Sequence, residues 1–380
     1  MSYKVLICAS TISHIMNFHL PYIKYFKEKG FEVHIAVPGN ELLENADLVH
    51  NISMTKKLLS INNVNAILQL RDLYKAYDFD ILLTHTTLAG IIGRLAVLLS
   101  GNKNIKVIHT VHGYLFWNGC GSIKRLMYYL PELLLRNTTD CIITMNDEDT
   151  LTAQKLVKKA GLVEKVPGMG VNSERFIAAS ESEKTLKRQQ LLFSDDAFVI
   201  VYAAEFSKRK NHLELIRAMS DIVSKEPNVI LVLCGTGDME NDILLEVKRR
   251  DLQRNVQFMG WCDHMEEIYK ACDMAISTSI SEGLPFNIIE AQLCGLPVVA
   301  SNIRGHVDLI KHGESGWLYT PRNPQELSNI VLDIINSSDQ GKRQGEAAKS
   351  SANRYSLLYA YGANTNIYQK FIEHQYNGEI

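Results

Sequence analysis

The apolar positions of this chain fall into two patterns. Short, almost unbroken runs (YKVLICA, EVHIAV, DILLTH, KVIHTV, DCIITM) are separated by longer stretches, such as segment 16–29, in which apolar residues recur every three or four positions. Runs rich in Val and Ile that do not alternate with polar residues predict strands buried on both faces, as in a parallel sheet covered by helices. The rhythm breaks over a polar stretch at about 172–196 and restarts with FVIVYAA, NVILVLCG, NVQFMG, DMAISTS and LPVVAS. A second doubly wound α/β unit is predicted there. The last helical pattern, from Leu357 to His374, stands outside this second rhythm and is predicted to cross back onto the first unit. The expected division is 1–170 with a helix over about 357–376, and 171–356.

Length agrees, since 380 residues exceed one ordinary domain and fit two of about 150–200 residues. Ligands of doubly wound sheets bind beyond the carboxyl ends of the strands, so two such units facing a central cleft would line it from both sides. Net charge is −2, which removes the electrostatic case for a nucleic-acid partner. Residues 1–165 hold 18 Lys and Arg against 14 Asp and Glu, so the front of the chain is the basic part. Seven cysteines without a CxxC pair predict no zinc site and no disulfide framework, and fit a reducing compartment. The opening MSYKVLICAS is broken by polar residues too early for a secretory signal. AGIIGRLAVLLSG is interrupted by Arg94 and falls short of the roughly 20 residues that span a bilayer. The expectation is a cytoplasmic location, free or at the inner face of the cell membrane.

The richest chemistry lies in SISEGLPFNIIEAQLCGLPVVAS. Glu282 stands on a Gly-Leu-Pro turn after a strand, and Glu290 follows eight positions later in a helix opened by Pro285. The start of a helix favours an anion such as a diphosphate. Pro285 has no N–H to give, so Gly283, Leu284 and Phe286 are the candidates around it. A loop carboxylate can accept from sugar hydroxyls, and one a turn up the helix can hold the two hydroxyls of a ribose.

This stretch resembles the E-x7-E motif of family 4 glycosyltransferases, in the style of bacterial capsule and exopolysaccharide enzymes, and further matches follow in order along nearly the whole chain. The resemblance implies the GT-B fold, with two Rossmann-like domains, the donor bound by the second and the acceptor by the first. VYAAEFSKRKNHLELIRAM is similar to the family's phosphate-contacting loop, which places Lys210 against the donor diphosphate, where its charge would offset that of the leaving group. Many members carry Arg five positions earlier, where this chain has Glu205; Arg209 and Lys208 are the alternatives for the second cation. VLCGTGDME resembles the glycine turn of the nucleotide site, with Gly235 and Gly237, and VQFMGW resembles the segment whose main chain near Gly260 and Trp261 meets the base. In the first domain, HTVHGYLFW places His112 and Gly113 at a strand end, beside the transferred sugar by resemblance. His14 and Asn17 in the opening loop are candidates for acceptor or phosphate contact.

The resemblance also implies transfer with retention from a nucleoside diphosphate sugar, with uracil the expected base, to a saccharide or lipid-linked saccharide. The departing phosphate would take the acceptor proton, so no carboxylate need act as nucleophile. No cofactor and no metal are expected: the charges at 146–149 (NDED) and 194–196 (SDD) are read as lying outside a strand-end DxD setting. GSIKRLMYYLPELLLRN reads equally as a core-facing helix or as a peripheral membrane element. Two alternatives stand beside transfer, a sugar-nucleotide epimerase of the same architecture and a catalytically silent nucleotide-sugar-binding partner. A dinucleotide oxidoreductase is excluded by CASTISH, which stands where G-x-G-x-x-G would follow the first strand.

Overall fold

A computed structural model describes residues 3–55, 60–102, 104–158 and 161–377. The chain divides into two compact units, one running to Gly170 and including the C-terminal helix, the other Val171–Ser356. In the first unit the strands are β1 (Lys4–Cys8), β2 (Glu32–Val37), β3 (Leu48–Asn51), β4 (Ile81–His85), β5 (Lys106–Thr110), β6 (Cys141–Thr144) and β7 (Leu162–Lys165). They form one parallel sheet in the order β3-β2-β1-β4-β5-β6-β7. The switch in order lies between β1 and β4, whose carboxyl ends lead into residues 9–11 and 86–87. In doubly wound sheets that edge receives ligands.

The second unit contains β8 (Phe198–Ala203), β9 (Val229–Cys234), β10 (Val256–Gly260), β11 (Met274–Ser277), β12 (Val298–Ser301) and β13 (Trp317–Tyr319). Their order is β10-β9-β8-β11-β12-β13, again all parallel. Here the switch falls between β8 and β11, so the loops 204–211 and 278–285 leave the sheet side by side. Ile200, Tyr202, Leu231, Leu233, Met274 and Val299 form the buried centre of this unit, which explains why the central strands read as continuous apolar runs.

Three differences from the sequence reading have physical causes. The segment 16–29 is not one helix but two, Ile12–Phe18 and Leu20–Glu28, joined at His19; Pro21 starts the second, as its missing N–H and fixed φ dictate. The polar stretch 172–196 carries a helix, Glu181–Gln190, whose capping box pairs Ser180 with Glu183. Its hydrophobic content is low, and Arg188 fixes it by donating to Ala271 O and to Asp273. Finally, 146–149 does follow a strand, β6, contrary to expectation. Asn146 accepts from Asp149 N at 2.8 Å, Asp149 accepts from the Asn146 amide, and Asp147 pairs with Lys165, so these acids cap a helix and tie down its neighbours.

The helix Leu357–Asn377 packs on the first unit. Asn364 Nδ2 donates to Gly168 O at 3.0 Å, Tyr25 OH to Gln369 Oε1 at 2.9 Å, and the Tyr368 ring lies 5.4 Å from that of Phe26. No described helix is long and apolar enough to cross a membrane. The seven cysteines are all free.

Within the first unit the helix Ser122–Leu135 is held by one buried ion pair: Arg94 Nη2 donates to Glu132 Oε1 at 2.7 Å, and both side chains are 1% exposed. Arg94 also donates to Gly90 O at 2.8 Å. Removing one partner of such a pair strands a charge in a low dielectric. We expect Glu132→Ala to cost about 3–5 kcal/mol in calorimetric or denaturant unfolding; a loss below about 1 kcal/mol would contradict this.

Candidate active site

Two loops define the site in the second unit, and hydrogen bonds stitch them together. Tyr202, at the end of β8, places its hydroxyl 2.9 Å from Lys210 O and 3.0 Å from Ser279 Oγ. Thr278 Oγ1 donates toward Lys210 O and Asn211 O at 3.1 Å, and Ile280 N donates to Arg209 O at 2.9 Å. The backbone of 209–211 is thereby locked to that of 278–280. This sets Glu282 against two cations: Lys210 Nζ donates to Glu282 Oε1 at 2.6 Å, and Arg209 Nη1 donates to Glu282 Oε2 at 2.7 Å and to Ser281 O at 3.0 Å.

Burial alone would raise the Glu282 carboxyl, but Lys210 and then Arg209 outweigh it and hold the group down at about 2. It is therefore ionised at any physiological pH. Arg209 is thus the second cation on Glu282, whereas Glu205 and Lys208 are exposed. Lys210 keeps two further N–H donors in principle, so an ammonium anchored by Glu282 can also meet an anion.

Behind the loop stand residues that the sequence reading missed. Arg304 Nε donates to Glu282 O at 2.9 Å and Nη2 to Ser281 Oγ at 3.1 Å, fixing the peptide that carries the carboxylate. Gly305 has φ +84, and a Cβ there would lie 2.9 Å from Gly283 O and 3.0 Å from Glu282 Cβ. His306 then tucks between Ser277 and Ser301. The signal was the RGH sequence after the β12 strand, but nothing in its spacing announces contact with residues 20 positions back.

Pro285 caps the helix Phe286–Leu293, and Glu290 lies just over a turn into it. The Tyr269 hydroxyl stands 3.2 Å from Glu290 Oε2. Burial pushes the Glu290 carboxyl up to about 7, against the opposing hydrogen bond from Tyr269. The two glutamates of one motif thus sit in opposite electrostatic settings. Gly235 and Gly237 follow β9 with φ +143 and +155, and a Cβ would fall 2.1 Å from Ala204 O and 2.5 Å from Phe206 O. Their small size serves the protein's own crossing backbone at this turn. Gly260 ends β10 at φ +64 with open space about it, and its carbonyl accepts from Gly235 N at 2.7 Å. Trp261 is exposed, its indole donating to Asp263 at 2.8 Å.

In the first unit, His112 and Gly113 follow β5 as expected from the sequence. His112 does not stand alone. His14, His19 and His85 surround it, with His14 Nε2 and His85 Nδ1 each 3.3 Å from His112 Nε2. Burial first, and the neighbouring rings second, lower His19, His85 and His112 well below the ordinary imidazole range; burial takes His14 to about 4. All four are neutral at pH 7. Asn17, on the same short helix as His14, is exposed and not part of this group. His19 and His85 carried no sequence signal, because only the fold brings the end of β4 to the first helical turns.

A two-unit α/β chain with the E-x7-E spacing at the β8–β11 switch fits a glycosyltransferase, and the relatives agree. Residues 4–146 match the model described as glycosyl transferase 4-like, and residues 183–351 match that of glycosyl transferases group 1. The chain is 32% identical to the putative glycosyltransferase EpsD of Bacillus subtilis (strain 168) over 98% of both chains. It is 30% identical to the UDP-Gal:alpha-D-GlcNAc-diphosphoundecaprenol alpha-1,3-galactosyltransferase of Escherichia coli over 76% of this chain and 73% of that one. In fold it is similar to Anabaena HepE, solved in complex with UDP and glucose, with TM-score 0.78 at 20% identity, covering 98% of this chain and 100% of that one. The chain belongs to the family 4 glycosyltransferases and has their GT-B architecture.

The Glu290 setting has a measurable consequence. The folded protein keeps this proton up to about pH 7, whereas the unfolded chain loses it near the ordinary 4.5; stability therefore falls as pH rises through that window. Glu290→Gln, which cannot ionise, should lose this dependence. Thermal melts should show the variant gaining on the parent between pH 5 and pH 8, by about 1–3 kcal/mol at the upper end. A gap that does not change with pH would contradict the raised value.

Proposed function

We propose that this enzyme transfers a hexose or N-acetylhexosamine, with retention, from a nucleoside diphosphate sugar to a saccharide or lipid-linked saccharide in bacterial surface polysaccharide synthesis. A uridine donor is the reading favoured by family resemblance. The observation that carries the proposal is the ionised Glu282 bridging Lys210 and Arg209 beside a helix start. Transfer needs negative charge stabilised on the leaving diphosphate. Two cations held by one fixed carboxylate, together with the positive end of the helix Phe286–Leu293, supply it without a metal in the chemical step. Glu282, in turn, presents lone pairs to sugar hydroxyls, and Glu290 takes the ribose. Gly283, Leu284 and Phe286 line the phosphate side; main chain near Gly260 and Trp261 meets the base.

The first unit is the acceptor half, with His112 contributing an uncharged imidazole toward the sugar. The Escherichia coli relative is named for a diphosphoundecaprenol-linked sugar, and one helix of the first unit supports a lipid-linked acceptor here. The helix Ser122–Leu135 turns one face inward and one outward: Glu132 and Leu135 are buried and Tyr128, Tyr129 and Leu133 pack on buried residues, while Ile123 is 79%, Leu126 63% and Leu134 69% exposed. Lys124, Arg125 and Arg136 flank this apolar stripe. A cavity of about 550 Å³ under the helix is lined by Phe116, Trp117, Leu126, Tyr129, Arg125 and Lys155. An amphipathic helix with basic flanks can lie in the headgroup layer of an anionic membrane, which supports the reading that the enzyme works at the cytoplasmic face.

Purified protein, given a panel of UDP-sugars and a lipid-diphosphate saccharide in the presence of EDTA, should form glycosylated product. Lys210→Ala should lose about 100- to 1,000-fold in kcat, and Glu282→Ala should abolish turnover. Donor conversion without acceptor would point to an epimerase instead, and donor binding without turnover to a silent partner. In a separate assay, Leu126→Asp with Leu134→Asp should reduce co-sedimentation with anionic vesicles by at least about tenfold; unchanged sedimentation would contradict the membrane role of this helix.

A further inference from the structure

The four histidines of the first unit are spaced as metal ligands are spaced. One ligand nitrogen from each of His14, His19, His85 and His112 lies within 4.8 Å of every other. Two of these separations, His14 Nε2 to His112 Nε2 and His85 Nδ1 to His112 Nε2, are 3.3 Å. A tetrahedral zinc ion with Zn–N bonds of about 2.0–2.1 Å holds its nitrogens about 3.3 Å apart. Neutral imidazoles that meet by hydrogen bonding alone prefer a closer N···N approach.

Hydrogen bonding also fails to satisfy the group. His112 Nε2 faces two ring nitrogens at once, yet a neutral ring nitrogen offers either one proton or one lone pair. His19 Nε2 is buried and has no hydrogen-bond partner, in a side chain that is 1% exposed. An unpaired polar atom at that depth is costly. His14 and His112 are partly exposed, which leaves the cluster reachable from solvent on one side.

We propose that His14, His19, His85 and His112 form a binding site for a late first-row divalent cation, Zn2+ in the first instance. All-nitrogen, uncharged donors suit Zn2+, Co2+, Ni2+ or Cu2+ and not Mg2+ or Ca2+, which require oxygen. Such an ion is not a cofactor for the transfer proposed above; it would engage His112 through Nε2, the nitrogen that faces His14 and His85.

The test reads binding and does not depend on activity. Chelator-stripped protein titrated with Co2+ should take up one ion per chain and show the intense d–d bands of tetrahedral nitrogen ligation, without the charge-transfer bands of thiolates. Zn2+ should displace the Co2+ and raise the melting temperature. The His14→Gln change lies at the partly exposed edge and should fold normally; it should weaken Co2+ binding by more than about tenfold. The paired change His19→Gln and His85→Gln, checked by circular dichroism, should abolish it. A six-coordinate spectrum, thiolate bands, or parental affinity in His14→Gln would each overturn the proposal.

Discussion

A single buried carboxylate organises the candidate site in the second unit of this enzyme. Glu282 has lost nearly all contact with water, a state that burial by itself penalises by several kcal/mol, and it stays ionised because Lys210 and Arg209 close on its two oxygens. Those cations arrive together because β8 and β11 are neighbours in the sheet, and because Tyr202, Thr278 and Ile280 lock one loop to the other. Arg304 and Gly305 then hold the carboxylate's own peptide from behind. The result is preorganised positive charge at a helix start, which is what the departure of a diphosphate demands.

The motif's second glutamate shows how environment divides one residue type into two roles. Burial pushes Glu290 up against only the weaker pull of the Tyr269 hydrogen bond and of Arg175, whereas Glu282 is pulled down by two paired cations. Eight residues of spacing put them a strand-end loop and a helical turn apart. That distance is enough to give one a permanent charge and the other a proton it can exchange near neutral pH.

The central strands and the E-x7-E loop were legible in the sequence because each is local: a buried parallel strand writes itself as an apolar run, and the loop as a fixed spacing. The peripheral strands β3, β7 and β13 were not foreseen, being only three or four residues long and partly exposed, so their apolar signal is diluted. Arg209 could be offered only as an alternative, since basic loop residues look alike until the opposing Glu282 is in place. Arg304, His19 and His85 were invisible for a related reason. Their partners lie far along the chain, and only sheet order brings them within reach. The helix Ser122–Leu135 was ambiguous because its stripe would suit either a core or a headgroup layer; the buried Arg94–Glu132 pair shows which side turns inward.

The account rests on anionic charge settling where Lys210, Arg209 and the start of the helix Phe286–Leu293 converge. A crystal structure of the enzyme with UDP tests this most directly. The distal phosphate should lie within hydrogen-bond reach of Lys210 and Arg209, with the ribose hydroxyls on Glu290. Phosphates bound elsewhere, with the Glu282 ion pairs undisturbed and facing solvent, would contradict it.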